Sequence, residues 1–533
     1  VSDNGEIVRF DAAVKIDAPA GESANTWNGL PMIEMPDDDR TGSDFTAELG
    51  KHLGRAAIFR RGKILMTLTG RRDRLEPVGD HEFRTLIERY VCLFRARVPK
   101  KTGEQLLRIR TTLGIDAARM CMSAPQLLDE IREIEHLHDI PLPVHRPDGT
   151  IAILAEGYDA ASRTLTLRPC EYAARPCANG AAFLRDLLSE FQFTEPERGL
   201  AVAVAAMLTL FARRLLPLLA HRPAFIYLSN AAGGGKTLLA DCAIAPVFGR
   251  SPRTLLARRE EELEKLLLAE VLCGCDCLLF DNVRGKIESP SIENLLTSHI
   301  FKGRILNQSK TYEGENHLTM FFTGNTVIVS EDLARRALFA ELFQPEARAQ
   351  DRQFKSPLSV GILVERRAEI LAALWQIVRA WDAAGRPRGS KSHASFPEWA
   401  RVVGGMVEHA GFASPVVAPL LHDGGNQDGE DMSGLVAFMR TAYGERPIDF
   451  ERLAEIAAER GYFDRITEGA SANGMDRSEK AKLGKLLKSF DRRAFGEDRL
   501  LFLVDGRGHG RRFRISTHGA KAAGPSTTVE DIP

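Results

Sequence analysis

The sequence predicts an α/β protein whose core carries a phosphate-binding loop, with a small mixed α/β domain before it and a domain of helices plus a hairpin after it. Three observations point there. From about residue 191 to 390, strand-like apolar runs alternate with helical patterns, the sequence form of an α/β sheet. Within that span, "AFIYLSNAAGGGKTLLADCAIAPVF" (Ala224 to Phe248) sets three glycines, a lysine and a threonine between a strand pattern and a helix pattern. The chain of 533 residues is also too long for one hydrophobic core, so about three domains are expected.

In chain order, residues 1–55 are rich in Gly, Asp and Pro, show no sustained period and read as a loose lead-in. Residues 56–190 form the small mixed domain: "AAIFRRGKILMTL" reads as a strand pair, "HEFRTLIERYVCLFRAR" and "APQLLDEIREIEHL" as helices, and a Pro-Asp-Gly turn separates short strands after Leu142. The core, residues 191–390, opens on "FTEPERG", where Thr194 is the expected N-cap, Pro196 lies in the first turn and Glu197 is placed to close a capping box. The buried helix that follows, Leu200 to Ala212, spans only about half a bilayer and ends at Arg213 and Arg214. Residues 391–433 supply a helix and then "HDGGNQDGEDMSG" (His422 to Gly434), which reads as a linker. Residues 434–516 hold the last domain, and 517–533 read as a disordered tail. No repeat of fixed period is present.

Composition narrows the function classes. Apolar residues make up 44% and charged residues 27%, an ordinary globular balance. A net charge of -1 excludes a uniformly basic nucleic-acid coat and confines any DNA contact to local patches. Eight cysteines in this length make no disulfide framework, and the start "VSDNGEIVRF" has no signal-peptide pattern, so a cytoplasmic location without membrane contact is expected. Cys273, Cys275 and Cys277 alternate as they would on one face of a strand and are read as structural, not as zinc ligands.

The chemistry centres on the glycine loop. Successive backbone N–H groups and a helix N-terminus hold phosphate, so Gly233, Gly234, Gly235, Lys236, Thr237 and Leu238 are the candidate nucleotide-binding stretch. Lys236 would reach the outer phosphates of ATP and Thr237 would ligate Mg²⁺. Asn230 stands where such loops usually begin with glycine; Asn is one of the few residues that tolerates left-handed backbone geometry. "DCLLFDN" ends an apolar strand in Asp281, a second candidate Mg²⁺ ligand, but the following position, usually acidic, is Asn282. Asp276, Glu261, Glu262 or Glu264 are the candidates for the missing base, or hydrolysis is slow. "HLTMFFTGN" ends a further strand in Asn325, suited to orient water or sense the γ-phosphate. Arg335 and Arg336, adjacent in "SEDLARRALFAEL", are candidate arginine fingers for a neighbouring subunit's site, with a solvated charge pair as the plainer alternative.

The succession "SNAAGGGKT", "LLFDNV", "SHIFKGRILNQSKTYEGENHLTMFFTGN" and "DLARRALFAEL" resembles the superfamily 3 helicases, AAA+ relatives found in phage and plasmid primase-helicases, over roughly residues 190–415. Asn230 and Asn282 depart from that pattern. The resemblance implies a P-loop AAA+ ATPase core and a ring, generally a hexamer, that uses ATP and Mg²⁺ to move single-stranded or forked DNA. It also implies that Lys302, Arg304 and Lys310, on the hairpin between the Asp281 and Asn325 strands, line the pore; an ordinary surface hairpin is the alternative.

In the last domain, "RSEKAKLGKLLKSF" buries Leu483, Leu486, Leu487 and Phe490, and "RLLFLVDGRGHGRRFRIS" reads as a hairpin, together suggesting a winged helix. From Arg477 to Arg514 there are 12 basic residues against 5 acidic ones. Lys485, Lys488, Arg507, Arg511 and Arg512 are the candidate phosphate contacts, with protein docking as the alternative. Asp37, Asp38 and Asp39 read as a solvated acidic turn and not a primase centre, so a primase or polymerase would be a separate partner. Two classes therefore stand: an ATP-driven helicase of a replicating mobile element, and an ATP-controlled DNA-binding initiator or loader with little unwinding.

Overall fold

A computed structural model describes residues 26–37, 40–54, 56–69, 74–97, 107–217, 219–229, 233–304, 311–343, 357–416, 423–467, 475, 477–490, 494–495, 500–505 and 512–516. Asp38, Asp39, Asn230, Lys310, Arg507 and Arg511 lie outside the described residues. The chain divides into two compact units, residues 1–419 and 420–533.

The first unit begins earlier than the text of the sequence suggests. Strand Leu30–Glu34 and helix Gly42–Leu53 lie inside the segment read as a lead-in, and Ile33, Phe45, Leu49 and Leu53 are buried in one core with Phe83, Ile87 and Leu93. The helix carries Phe45, Leu49 and Leu53 at i, i+4 and i+8 over three turns, a period that the Gly-, Asp- and Pro-rich text before it obscures. Helix Asp80–Ile87 also ends sooner than expected, and Cys92–Arg97 forms a strand parallel to Leu30–Glu34. Val91 to Phe94 are all buried, and four consecutive buried residues suit a strand covered on both faces better than one stripe of a helix. Likewise helix Pro125–Glu130 stops before "IREIEHL", and His136–His138 runs as a strand parallel to Thr164–Thr166.

The core of this unit is a four-stranded parallel sheet in the spatial order Cys277–Ile287, Thr319–Val329, Ala224–Ser229, Ala337–Leu342. Thr254 adds a single parallel bridge to Phe280 on the outer edge. Side chains alternate between two cores. Phe225, Tyr227 and Phe321 face helices Pro196–Phe211, Lys236–Phe248 and Arg367–Ala383, while Ile226, Leu228, Met320 and Phe322 face helices Glu260–Leu272 and Pro290–Thr297. Such two-sided burial explains why these strands read as unbroken apolar runs.

Local expectations at the sheet margins change. Glu195, not Thr194, is the N-cap of helix Pro196–Phe211, and no side-chain cap bond forms there. The Thr194 N–H instead donates to the Glu341 carbonyl at 2.9 Å, tying the helix entry to the edge strand. Cys273 caps helix Glu260–Leu272, Cys275 lies in the turn and Cys277 starts the strand, so the three do not share one strand face; all three are free thiols.

The second unit contains helix Asp423–Tyr443, which occupies most of the stretch read as a linker. Met432, Leu435, Val436 and Met439, spaced i, i+3, i+4 and i+7, are fully buried, and this packing overrides the weak helix propensity of the glycines before them. Helices Phe450–Arg460 and Arg477–Ser489 follow. An antiparallel sheet of order Ile448–Asp449, Arg512–Ser516, Leu500–Asp505, Ala494–Phe495 completes the unit. Among the described residues no helix is long and apolar enough to cross a membrane.

Candidate functional site

Asp281 and Asn325, midway along strands Cys277–Ile287 and Thr319–Val329, lie level with the carboxyl end of strand Ala224–Ser229, where the site forms. Strand Ala224–Ser229 feeds the glycine loop, which turns into helix Lys236–Phe248 through Gly233 (φ 78°) and Gly235 (φ 88°). Only glycine adopts such angles freely, so the turn that aims the helix N-terminus needs these residues. A Cβ on Gly235 would reach the Phe191 ring at 3.4 Å, an ordinary contact, so it is the backbone angle and not space that requires glycine there.

Lys236 is the first helical residue, 8% exposed, and its Nζ donates to Asn325 Oδ1 at 2.5 Å. Burial pushes the Lys236 ammonium below its ordinary value, and the Asp281 carboxylate opposes that shift. The Thr237 hydroxyl donates to Asp281 Oδ1 at 2.7 Å, and Thr323, from the strand that carries Asn325, donates to the same oxygen at 2.6 Å. Lys236, Thr237, Asp281 and Asn325 thus meet through direct bonds although 89 positions separate the outermost pair.

Asn282 has φ 54°, is exposed, and gives its backbone N–H to Thr323 Oγ1 at 3.0 Å. The sheet register shifts between Phe280 and Val283 at this residue. Asn is one of the side chains that best tolerates the left-handed region, so the bulge gives a conformational reason for it where an acid was expected.

Three functional candidates escaped the sequence reading. Arg253 lies 3.5 Å from Asp281 Oδ2 and 3.3 Å from Asp241 Oδ2, with half its side chain exposed. Asp241, one helical turn after Thr237, is 2% exposed, and burial raises its carboxyl above the usual range while Arg253 opposes. Period alone could have found Asp241, at i+4 from Thr237; nothing in the sequence marks Arg253. Thr323, two positions before Asn325 on the same strand face, was legible by the same logic.

A cavity of about 470 Å³ is lined by the glycine loop, Lys236 to Leu238, Asp241, Arg253, Phe191 and residues Pro357 to Val360. Its size and its mixture of loop backbone, one buried cation and apolar wall suit a nucleotide. The Thr237 hydroxyl against a carboxylate is an oxygen pair of the kind that takes Mg²⁺. The residues present therefore fit ATP with Mg²⁺.

Other candidates sit elsewhere. Asp276 is 5% exposed and pairs with the buried Arg213 at 2.9 Å, five positions before Asp281 and therefore about 16 Å away along the strand direction. It does not supply the missing base. Glu261 and Glu262 are exposed partners of Lys265 on the outer helix, and Glu264 is exposed on that helix. Arg336 is turned inward, its Nη1 donating to the Glu293 carbonyl at 2.6 Å, whereas Arg335 is 60% exposed beside Asp332. Strands Ile300–Arg304 and Thr311–Glu315 pair antiparallel, with Lys302 and Arg304 on the exposed face and Lys302 3.1 Å from Glu313. Lys485 and Lys488 are exposed on helix Arg477–Ser489, and Arg512 is exposed at the start of its strand.

No family model and no curated protein matches the chain. Among solved structures it is similar to the NrS-1 C-terminal region in an apo form, at 10% identity and TM-score 0.40, over 88% of this chain and 98% of that one. It is similar to a JCV helicase at 16% identity and TM-score 0.22, over 43% of this chain and 65% of that one. It is also similar to Cch of SCCmec type IV, described as an active helicase, at 10% identity and TM-score 0.29, over 87% and 97%. Scores this low decide neither the fold nor the activity of this chain, which rest on its own geometry.

Proposed function

We propose that the chain is an ATP-dependent DNA helicase or translocase of the superfamily 3, AAA+ type, acting in replication of a phage, plasmid or other mobile element. The observation that carries this reading is the pair of direct bonds, Lys236 to Asn325 and Thr237 to Asp281, that joins two parallel strands to the glycine loop that follows a third. Bound ATP with Mg²⁺ supplies the phosphoanhydride whose cleavage drives movement. Lys236 neutralises the outer phosphates, and Thr237 and Asp281 hold the cation. Asn325 orients the attacking water. Arg253 bridges Asp241 and Asp281 on the metal side and keeps both carboxylates in place.

Arg335 is the finger offered to a neighbouring copy in a ring, since Arg336 is committed within its own subunit. Lys302 and Arg304 face the DNA backbone. The helices and hairpin of the second unit support a winged-helix reading, with Lys485, Lys488 and Arg512 as phosphate contacts. The initiator or loader remains the second reading, and Asn282 favours it: no carboxylate follows Asp281, so the site holds nucleotide without an adjacent base.

A strand-displacement assay on the purified chain, run with native mass measurement, tests the proposal. Unwinding that needs ATP, together with a multimer that forms with nucleotide, is the expected result. Arg335→Ala should lower turnover about 10³-fold while Arg336→Ala mainly lowers stability. DNA binding and oligomer formation without displacement would favour the loader, and a monomer whose ATPase ignores DNA would remove both.

A further inference from the structure

Away from the nucleotide loop, His136, Glu315 and His317 converge, with one donor atom of each within 4.8 Å of the others. His136 comes from strand His136–His138, Glu315 is the last residue of the hairpin's return strand, and His317 follows before strand Thr319–Val329. The His136 and His317 rings lie 4.6 Å apart between centroids, and His317 Nε2 lies 2.9 Å from Glu315 Oε2. His136 is 2% exposed, and its Nε2 has no hydrogen-bond partner among the described residues.

Leaving a buried imidazole nitrogen without a partner is unfavourable, so a packed core histidine would normally bond a carbonyl or water. Here the orphaned nitrogen belongs to the same cluster as a second imidazole and a carboxylate. Of the neighbouring acids, Asp276 pairs with Arg213 at 2.9 Å, and Glu135 pairs through Oε1 with Arg163 at 2.7 Å while its Oε2 stays 3.9 Å from His136 Nε2. Glu315, 2.9 Å from His317 Nε2, is the carboxylate whose donor atom closes the cluster with both imidazoles. These guanidinium groups, and Arg214 acting on Glu315, weigh against a hard ion held by charge alone. Two nitrogens and one oxygen instead suit a borderline ion with bonds of about 2.0–2.2 Å, which small side-chain rotations reach from the observed spacing. A cavity of about 150 Å³ borders Glu315 and His317 and leaves room for water at a fourth position.

We propose that His136, Glu315 and His317 bind a zinc-type divalent ion that fastens the base of the Lys302 hairpin to the strand His136–His138. The site is independent of the nucleotide reading, because it shares no residue with the glycine loop.

The test uses the full chain, stripped with chelator and titrated with Co²⁺ and then Zn²⁺. One equivalent of Co²⁺ should give a tetrahedral visible spectrum without sulfur-to-cobalt charge transfer, and Zn²⁺ should displace it and raise the unfolding temperature. Glu315→Gln and His317→Gln should each weaken Co²⁺ binding by at least about tenfold while the chelated variants melt cooperatively. Should His317→Gln fail to fold, the partly exposed Glu315→Gln decides. Absence of uptake by the wild-type chain, a thiolate charge-transfer band, or unchanged affinity in Glu315→Gln would each overturn the assignment.

Discussion

Asp276 and Asp281 are five positions apart along one strand run, and their surroundings are opposite. Asp276, at the amino end of the sheet, is 5% exposed and pairs with Arg213, which is itself 3% exposed; Arg222, another buried guanidinium, acts in the same charge group. Asp281, level with the carboxyl end of strand Ala224–Ser229, accepts from two hydroxyls and borders the nucleotide-sized cavity through its partners Thr237 and Arg253. The first carboxylate is spent inside the fold. The second is held by two hydroxyls on one oxygen and by the half-exposed Arg253 at 3.5 Å from the other, partners that can rearrange when a cation arrives. In parallel sheets the carboxyl ends are where ligands bind, and this strand shows the division within half its length.

Breaking the amino end should give the largest effect. Asp276→Ala leaves Arg213 buried without its partner, a loss of about 3–5 kcal/mol in urea unfolding. Arg222 beside it is 7% exposed, and burial pulls its guanidinium down to about 10. A smaller loss, under about 1 kcal/mol, would mean that solvent enters and that the two ends are alike.

At the carboxyl end the sign of the comparison reverses. Asp281→Asn and Lys236→Ala should each reduce ATP turnover roughly 10²–10³-fold, equivalent to about 2.7–4 kcal/mol of transition-state stabilisation. Folding stability should change by only about 1 kcal/mol, the scale of a hydrogen bond. Steady-state ATPase and denaturant midpoints on the same preparations separate the two quantities. Turnover near the wild-type level in Lys236→Ala would break the comparison outright.

Asp241 sharpens it further through pH. Its folded-state value is raised, so between the ordinary aspartate value and the raised one the native state binds more protons than the unfolded chain. Stability therefore falls as pH rises through that window, and the deficit persists at neutral pH. Asp241→Asn should remove the slope, so that the variant gains on the wild type as pH goes from about 4 to 7. Parallel stability curves for the two proteins would show that Arg253 fully offsets the burial.

Much of this was legible in the sequence. The alternation of strands and helices, the glycine loop, and the polar residues Asp281 and Asn325 after apolar strand runs all follow from residue types at fixed spacing, although both strands continue past them, to Ile287 and Val329. What spacing conceals is partnership. Nothing in "DCLLFDN" distinguishes a buried ion-paired aspartate from a ligand aspartate, because the difference is made by Arg213, more than sixty positions away. The two adjacent arginines likewise read alike until Glu293 takes one of them. Helix Asp423–Tyr443 was hidden for the converse reason, since its glycines signal a linker and only the buried methionine and leucine stripe holds the turn geometry.

The exposed hairpin gives the smallest stability effect and the finest discrimination. Lys302 is 67% exposed, and its ion pair with Glu313 is screened by solvent, so Lys302→Ala should leave stability within about 0.5 kcal/mol. Arg304 shares that exposed face at two positions' distance. If both cations meet a single strand, each alanine substitution should reduce the slope of log affinity against log salt by about 0.7, the counterion release expected per phosphate contact on single strands. Unwinding should then fall more than basal hydrolysis, because the nucleotide site lies on other strands. Equal losses in unwinding and basal turnover would place Lys302 among the residues that hold the fold, like Asp276, and not among those offered to a ligand.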